Sequence, residues 1–182
     1  MKIKQLLLII TLMSFGLAKT DAQSYIKINP ITLAIGYIGV DYEKVVSDKN
    51  SFSIGAAFFT YGGDGARATG FGVNGGYRFY LTKDDAPKGL FAGPIAGFSF
   101  LSYKYGAAFG SSADNFSYSV LNIGGIIGYQ WLFSDDKFSF EIGVGPSIGI
   151  AIGKNENFVG SLYGSGVTPA VVFSVGYRLS DK

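Results

Sequence analysis

Five polar side chains, Glu43, Arg78, Gln130, Glu141 and Arg178, are the residues of this chain best placed to do chemistry. Each interrupts a run in which large apolar residues alternate with Gly, Ser and Ala, and each falls on the small-residue phase. Counting from the nearest charged turn sets all five four or five residues from the same end. Pairing Phe133 with Phe138 across Ser134-Asp135-Asp136-Lys137 brings Gln130 opposite Glu141, with Arg178 on the adjoining strand. Carboxylates and guanidiniums gathered in one confined space pair through charge-assisted hydrogen bonds. The chemistry expected is therefore electrostatic: an ion-pair network filling a narrow interior, or, as the alternative, one that gates or conducts a substrate.

Catalysis is not expected from the same residues. The chain has no His and no Cys, which removes Ser-His-Asp triads, imidazole metal sites, thiolate nucleophiles and disulfides together. No two acids are spaced for a carboxylate-only mechanism. Asp84-Asp85 and Asp135-Asp136 read as turn residues ahead of calcium ligands. Gly62-Gly63-Asp64-Gly65 lacks the Walker pattern that would make it a phosphate loop. No catalytic residue, metal site or cofactor is predicted.

Those five residues need a scaffold, and Phe138–Ile152 shows what it is. Phe138, Phe140, Ile142, Val144, Pro146, Ile148, Ile150 and Ile152 point one way; Ser139, Glu141, Gly143, Gly145, Ser147, Gly149 and Ala151 point the other. Period-two alternation marks a strand with unlike faces. Globular strands usually run about five or six residues, whereas a tilted membrane-spanning strand needs roughly 9–11. A soluble barrel would carry Lys, Glu and Thr on its outer face. Here the second face is Gly, Ser and Ala with one Glu, which suits a narrow, filled lumen. The fold class expected is all-β, an eight-stranded antiparallel transmembrane β-barrel with lipid outside. An Arg turned to lipid at mid-depth would cost roughly 2–4 kcal/mol, so the five polar residues belong inside.

Eight strand-like segments follow in order: Tyr25–Ile35, Ile38–Val46, Ser51–Tyr61, Arg67–Thr82, Gly89–Tyr105, Phe116–Phe133, Phe138–Ile152 and Gly166–Ser180. Pro30 marks a bulge or sheet end in the first, and 25–46 read as one long strand is the alternative to splitting it. The connections alternate in kind. Ser47–Asn50, Lys83–Lys88 and Ser134–Lys137 are short and charged, while Gly62–Ala66, Gly106–Asn115 and Gly153–Ser165 are mostly longer and rich in Gly, Ser and Asn. That asymmetry matches periplasmic turns and extracellular loops. Gly76-Tyr77-Arg78, Gly128-Tyr129-Gln130 and Gly176-Tyr177-Arg178 repeat about every fifty residues, and Gly93-Pro94 returns as Gly145-Pro146, so the hairpin is the repeating unit. Tyr77, Tyr129, Trp131 and Tyr177 take the outward phase near the short turns, where an aromatic girdle is expected.

Composition agrees. With 182 residues the chain is one domain. Its 27 Gly, 16 Phe and 12 Tyr against five Pro indicate aromatic-rich β structure. Mean hydropathy is positive, yet no apolar run beyond residue 20 is long enough for a transmembrane helix. Residues 1–22 have the order of a signal peptide: Lys2 and Lys4, then Leu6 to Met13, then Thr20-Asp21-Ala22. Cleavage there leaves residues 23–182 as the barrel. It also takes 15 basic residues to 12 and 13 acidic residues to 12, and a formally neutral chain is not expected to bind nucleic acid.

The signal peptide, Asn29-Pro30 followed by Tyr42-Glu43, the GYR-type strand ends and the terminal Val175-Gly176-Tyr177-Arg178-Leu179 resemble the small outer-membrane β-barrel proteins of Bacteroidota, within the broader group of OmpA-, OmpX- and OmpW-like barrels. The resemblance covers roughly 24–182 and implies an eight-stranded barrel in the outer membrane. One departure is the polar Ser180-Asp181-Lys182 tail after Leu179, because such barrels often end on an aromatic residue.

The function expected is that of a non-enzymatic, integral outer-membrane barrel, a monomer with lipid as its surroundings and both termini periplasmic. It would have a structural or surface-interaction role with an unspecified extracellular ligand or protein. Phe109, Phe158 and Tyr163 in the long loops are the candidate recognition residues. The alternatives are a small channel or carrier for apolar solutes, and a soluble, secreted, lipocalin-like barrel with its large residues turned inward.

Overall fold

In a computed structural model, residues 23–34, 36–63, 66–105, 115–152 and 166–180 are described. The signal peptide expected over residues 1–22 and the candidate recognition residues Phe109, Phe158 and Tyr163 lie outside them. Eight strands form the wall: β1 (Ser24–Ile28), β2 (Tyr37–Ser47), β3 (Asn50–Gly63), β4 (Ala66–Tyr80), β5 (Gly89–Tyr105), β6 (Asn115–Phe133), β7 (Phe138–Ile152) and β8 (Val167–Arg178). Each pairs antiparallel with the next, and β1 pairs with β8 to close the barrel. Both the all-β class and the eight-stranded closure are those expected from the sequence.

The alternation sorts side chains as anticipated. On β7, Ile142, Val144, Ile148, Ile150 and Ile152 point outward and are exposed, while Ser139, Glu141 and Ser147 are buried inside. Every other long strand repeats the pattern, with Ile54 and Phe58, Phe71 and Val73, Ile123 and Ile127, and Val171 and Val175 on the outer wall. At ~3.3 Å per residue and a tilt near 40°, fifteen residues of β7 rise roughly 35 Å along the axis, enough to clear a ~25 Å apolar band. No helix among the described residues is long and apolar enough to cross a membrane.

One expectation fails. Tyr25–Ile35 is not a single strand, and 25–46 is not one either: β1 stops at Ile28 and a five-residue helix, α1 (Pro30–Ala34), follows. The reason is local. Asn29 is an N-cap whose Oδ1 accepts from the amides of Ile31 (3.0 Å) and Thr32 (3.2 Å), and Pro30 at the first helical position has its φ already set. Alternation in Ile31, Leu33 and Ile35 mimicked a strand, but capping decided the backbone. Gly36 then turns the chain with φ +83°, a conformation natural to glycine.

The Gly-Pro repeats also have a structural meaning. Pairing of β4 with β5 skips from Gly76↔Ile95 to Phe79↔Ala92, and pairing of β6 with β7 skips from Gly124↔Ser147 to Ile127↔Val144, without a change of register. Pro94 and Pro146 occupy the skipped rungs because neither has an N–H to donate. The preceding glycine lets the partner backbone close in: a Cβ on Gly93 would collide with the Tyr77 carbonyl, and one on Gly145 with that of Gly125. Gly93→Ala is therefore expected to destabilise the barrel by about 1–3 kcal/mol, the usual cost of overpacking, read as a lower urea midpoint. Gly63→Ala, with open space around it, is the matched control and should leave the midpoint unchanged.

At the short-turn end the turns pack on one another. Lys49 Nζ donates to the carbonyls of Thr82, Lys83 and Asp84 at 3.3, 2.9 and 2.8 Å, and the Ala86 amide donates to the Asp48 carbonyl at 2.7 Å. Ala86 is buried with Tyr80, Phe91 and Ile126, so the 83–88 turn covers part of the lumen mouth. A second buried cluster, Leu101, Tyr118 and Val120, sits toward the long-loop end.

Candidate functional site

Against the first of those clusters the inward faces of seven strands meet in a charged layer. Glu43 comes from β2, Ser51 from β3, Arg78 and Tyr80 from β4, Gln130 from β6, Glu141 from β7 and Ser174 from β8; Lys27 enters from β1. The register makes this convergence. Ser51 faces Arg78 across β3–β4, Gln130 faces Glu141 across β6–β7, and Glu141 faces Ser174 across β7–β8. Glu43, Gln130, Lys27 and Glu141 are 0–2 % exposed and Arg78 is 7 % exposed.

Arg78 grips Glu141 with both amino nitrogens, Nη1 to Oε2 at 2.6 Å and Nη2 to Oε1 at 3.1 Å. Its Nη1 also donates to Glu43 Oε1 at 3.0 Å and to Gln130 Oε1 at 3.2 Å. Lys27 Nζ bridges the same two acids, 2.5 Å from Glu43 Oε2 and 2.7 Å from Glu141 Oε2, and donates to Gln130 Oε1 at 3.1 Å. Ser51 and Ser174 donate to Glu43 and Glu141 at 2.5 and 2.8 Å. The Tyr80 hydroxyl lies 3.0 Å from Glu43 Oε1 and from Gln130 Oε1. The Arg78 guanidinium also sits over the Phe91 ring at 4.7 Å, a cation–π contact. Two cations and two carboxylates cancel, and each oxygen of both carboxylates has at least two partners. A buried charge set of this kind is tolerated only when so paired and hydrogen-bonded. Its chemical capacity is to hold charge in place and to block the lumen.

The structure thus brings together Glu43, Arg78, Gln130 and Glu141, and sets Arg178 apart. Arg178 faces Tyr25 in the β1–β8 register, four residues along β8 from Ser174, and interacts with the Tyr25 hydroxyl. Glu141 accordingly pairs with Arg78 and Lys27 instead. Lys27 is the charged member of this layer that sequence reasoning missed. A signal was present: Ile26 and Ile28 take the outward phase and leave Lys27 inward, in step with Tyr25. Reading 25–35 as one strand gave that short alternation no separate weight. Ser51, Tyr80 and Ser174 carried no signal, since a lone hydroxyl on the inner phase is unremarkable until its neighbour is known.

One set of outward aromatics gathers at the short-turn end of the barrel. Trp131 packs between Tyr129 (4.6 Å between centroids) and Phe140 (5.5 Å), and Phe140 meets Phe173 at 5.2 Å. Tyr77 lies against Phe79 at 5.0 Å, and Tyr177 against Phe138 at 5.5 Å. All four predicted girdle residues stand on the outer wall near the short turns.

Above the charged layer lies a cavity of about 400 Å³. Its polar wall includes Asp41, Ser53, Asn74, Ser99 and Asn122, and its floor Arg78 and Glu141. Asn74 points inward yet is exposed, so this part of the lumen is accessible to solvent.

The fold is shared with solved structures. Ail, the attachment invasion locus protein of Yersinia pestis, is similar over 88 % of this chain and 100 % of its own, at 11 % identity and a TM-score of 0.54 in its complex with the heparin analogue sucrose octasulfate. A second structure of Ail gives 12 % identity and a TM-score of 0.52 with the same coverage. The N-terminal β-barrel domain of Pseudomonas aeruginosa OprF is similar at 13 % identity and a TM-score of 0.49, over 86 % of this chain and 97 % of that domain. A search of curated proteins returned no match. The model described as protein of unknown function (DUF3575) matches residues 6–159, a span that includes β1 to β7, and the chain belongs to the DUF3575 family.

Proposed function

We propose that this chain is an integral outer-membrane β-barrel without catalytic activity, its short turns and termini in the periplasm and its long loops outside, serving a structural or surface-interaction role. The observation that carries this reading is the inversion of faces: apolar side chains line the exposed outer wall on every long strand, while the charges of Lys27, Glu43, Arg78 and Glu141 are shut inside. Water outside would make such a surface aggregate; hydrocarbon makes it stable. A soluble lipocalin-like barrel requires the opposite orientation. Ail, which has the same fold, is named an attachment invasion locus protein and was crystallised with a heparin analogue, and this supports a surface-interaction role, for which Phe109, Phe158 and Tyr163 are the candidate residues. In a membrane fraction the folded protein is expected to migrate faster on an unboiled gel than after boiling. Quantitative release into buffer without detergent would sink the reading.

The channel alternative is the weaker one, since the charged layer closes the lumen of a barrel that side chains can fill. Planar-bilayer recordings of the parent chain are expected to be flat. Steady unitary currents would overturn the closed-plug assignment.

A further inference from the structure

The wall has a gap. β1 pairs with β8 only from Tyr25↔Arg178 to Ile28↔Val175, and with β2 only as far as Val40. β8 nevertheless continues to Val167 and β2 to Tyr37. Over the long-loop half of the barrel, Val167–Ser174 of β8 has no strand on its β1 side among the described residues. Removing one strand leaves β2 and β8 about 9.6 Å apart, two interstrand spacings, and a helix about 10 Å across fits that width. Helix α1 occupies it, lying against both β2 and β8. Ile31 and Leu33 of α1 are exposed, whereas Asn29 and Thr32 line the cavity.

A helix cannot continue a ladder. It satisfies its own backbone but leaves the facing N–H and C=O groups of β8 unpaired, and in hydrocarbon each such group costs several kcal/mol. The seam is therefore a stretch of described wall where polar groups meet the apolar belt and where solvent in the lumen lies directly behind. Just inside stands Asp41. It has no salt bridge among the described residues, and the charged layer below it is already balanced, so its carboxylate is the surplus charge of the cavity. Asn74 is its hydrogen-bond partner. Both side chains lean over Gly55, where any Cβ would collide with them. The cavity volume falls within the usual ~300–1,000 Å³ of small-molecule sites.

We infer that the β2–β8 seam, closed by α1, is a lateral portal through which a single-chain amphiphile with a cationic head reaches the lumen, the head held by Asp41 and Asn74 and the tail lying along the seam. The inference rests on the membrane-spanning reading and is tested separately from it. The protein in phosphatidylcholine nanodiscs is titrated with dodecylammonium, dodecanoate and butylammonium while the amide resonances of Asp41, Asn74 and Gly97 are followed. Dodecylammonium is expected to shift them saturably and dodecanoate to leave them unmoved. Asp41→Asn should weaken binding about tenfold or more, as loss of a charge-assisted contact does. Gly55→Ala, which displaces the same two side chains without meeting backbone, should weaken it too. Because the chain has no cysteine, Leu33→Cys on the exposed side of α1, coupled to a bulky maleimide, covers the seam from outside without entering the cavity, and dodecylammonium binding should be lost. Unchanged binding in Asp41→Asn, equal binding of dodecanoate, or binding that survives the blocked seam overturns the proposal. If unboiled and boiled samples still differ in gel mobility, the barrel reading stands while the portal falls; if that difference is absent as well, both fall.

Discussion

Arg78→Met is expected to lower the stability of the folded barrel by about 3–5 kcal/mol, the usual result of removing one partner from a buried ion set. Arg78 makes the bidentate contact to Glu141 and a further one to Glu43. Without it, two carboxylates 0–2 % exposed have Lys27 as their one remaining cation, and one negative charge is left buried and uncompensated. Methionine fills much of the volume, so packing contributes little to the loss. The double variant Arg78→Met/Glu141→Gln removes one charge of each sign and leaves the Lys27–Glu43 pair, 2.5 Å apart, balanced. It should recover most of the stability, because the penalty comes from imbalance more than from the missing bridge. Urea titrations of folding into phosphatidylcholine vesicles read both midpoints. If Arg78→Met were as stable as the parent, the layer would have to be hydrated, and the plug assignment would be lost.

The second large effect concerns the outer wall. Val144 lies outward near the middle of β7 and is 55 % exposed, while Phe138 stands outward at its short-turn end. In hydrocarbon, Val144→Arg should cost roughly 2–4 kcal/mol and Phe138→Arg only about 0–1 kcal/mol, since a cation near the interface reaches water. The difference between two chemically alike substitutions on one strand measures depth directly. In a soluble barrel both would be harmless, because both sites would face water. Equal urea midpoints for the two variants would remove the membrane-spanning assignment.

Much of the barrel was legible because period-two alternation is a property of the backbone, independent of neighbours. The outward phase of Ile142 and Val175, the inward phase of Glu43, Arg78, Gln130 and Glu141, and the Gln130–Glu141 pairing across a four-residue turn all follow from counting. What counting could not reach was β1. Ile31, Leu33 and Ile35 alternate as a strand would, but the Asn29 cap and Pro30 give the chain a helical turn, and local hydrogen bonding outweighs a pattern of three residues. That misreading hid Lys27. It also hid the seam, because a long first strand would have closed the wall from end to end.

The amino-acid order by itself determined which side of each strand is greasy, where the turns fall and that His- or Cys-based chemistry is absent, since these depend only on residue type and the two-residue repeat of an extended chain. Which inward charges touch was decided by the tertiary structure. Contact between residues as far apart as Lys27 and Glu141 depends on the stagger of eight strands around a closed ring, and a difference of four positions along β8 separates Arg178 from the cluster that Lys27 joins.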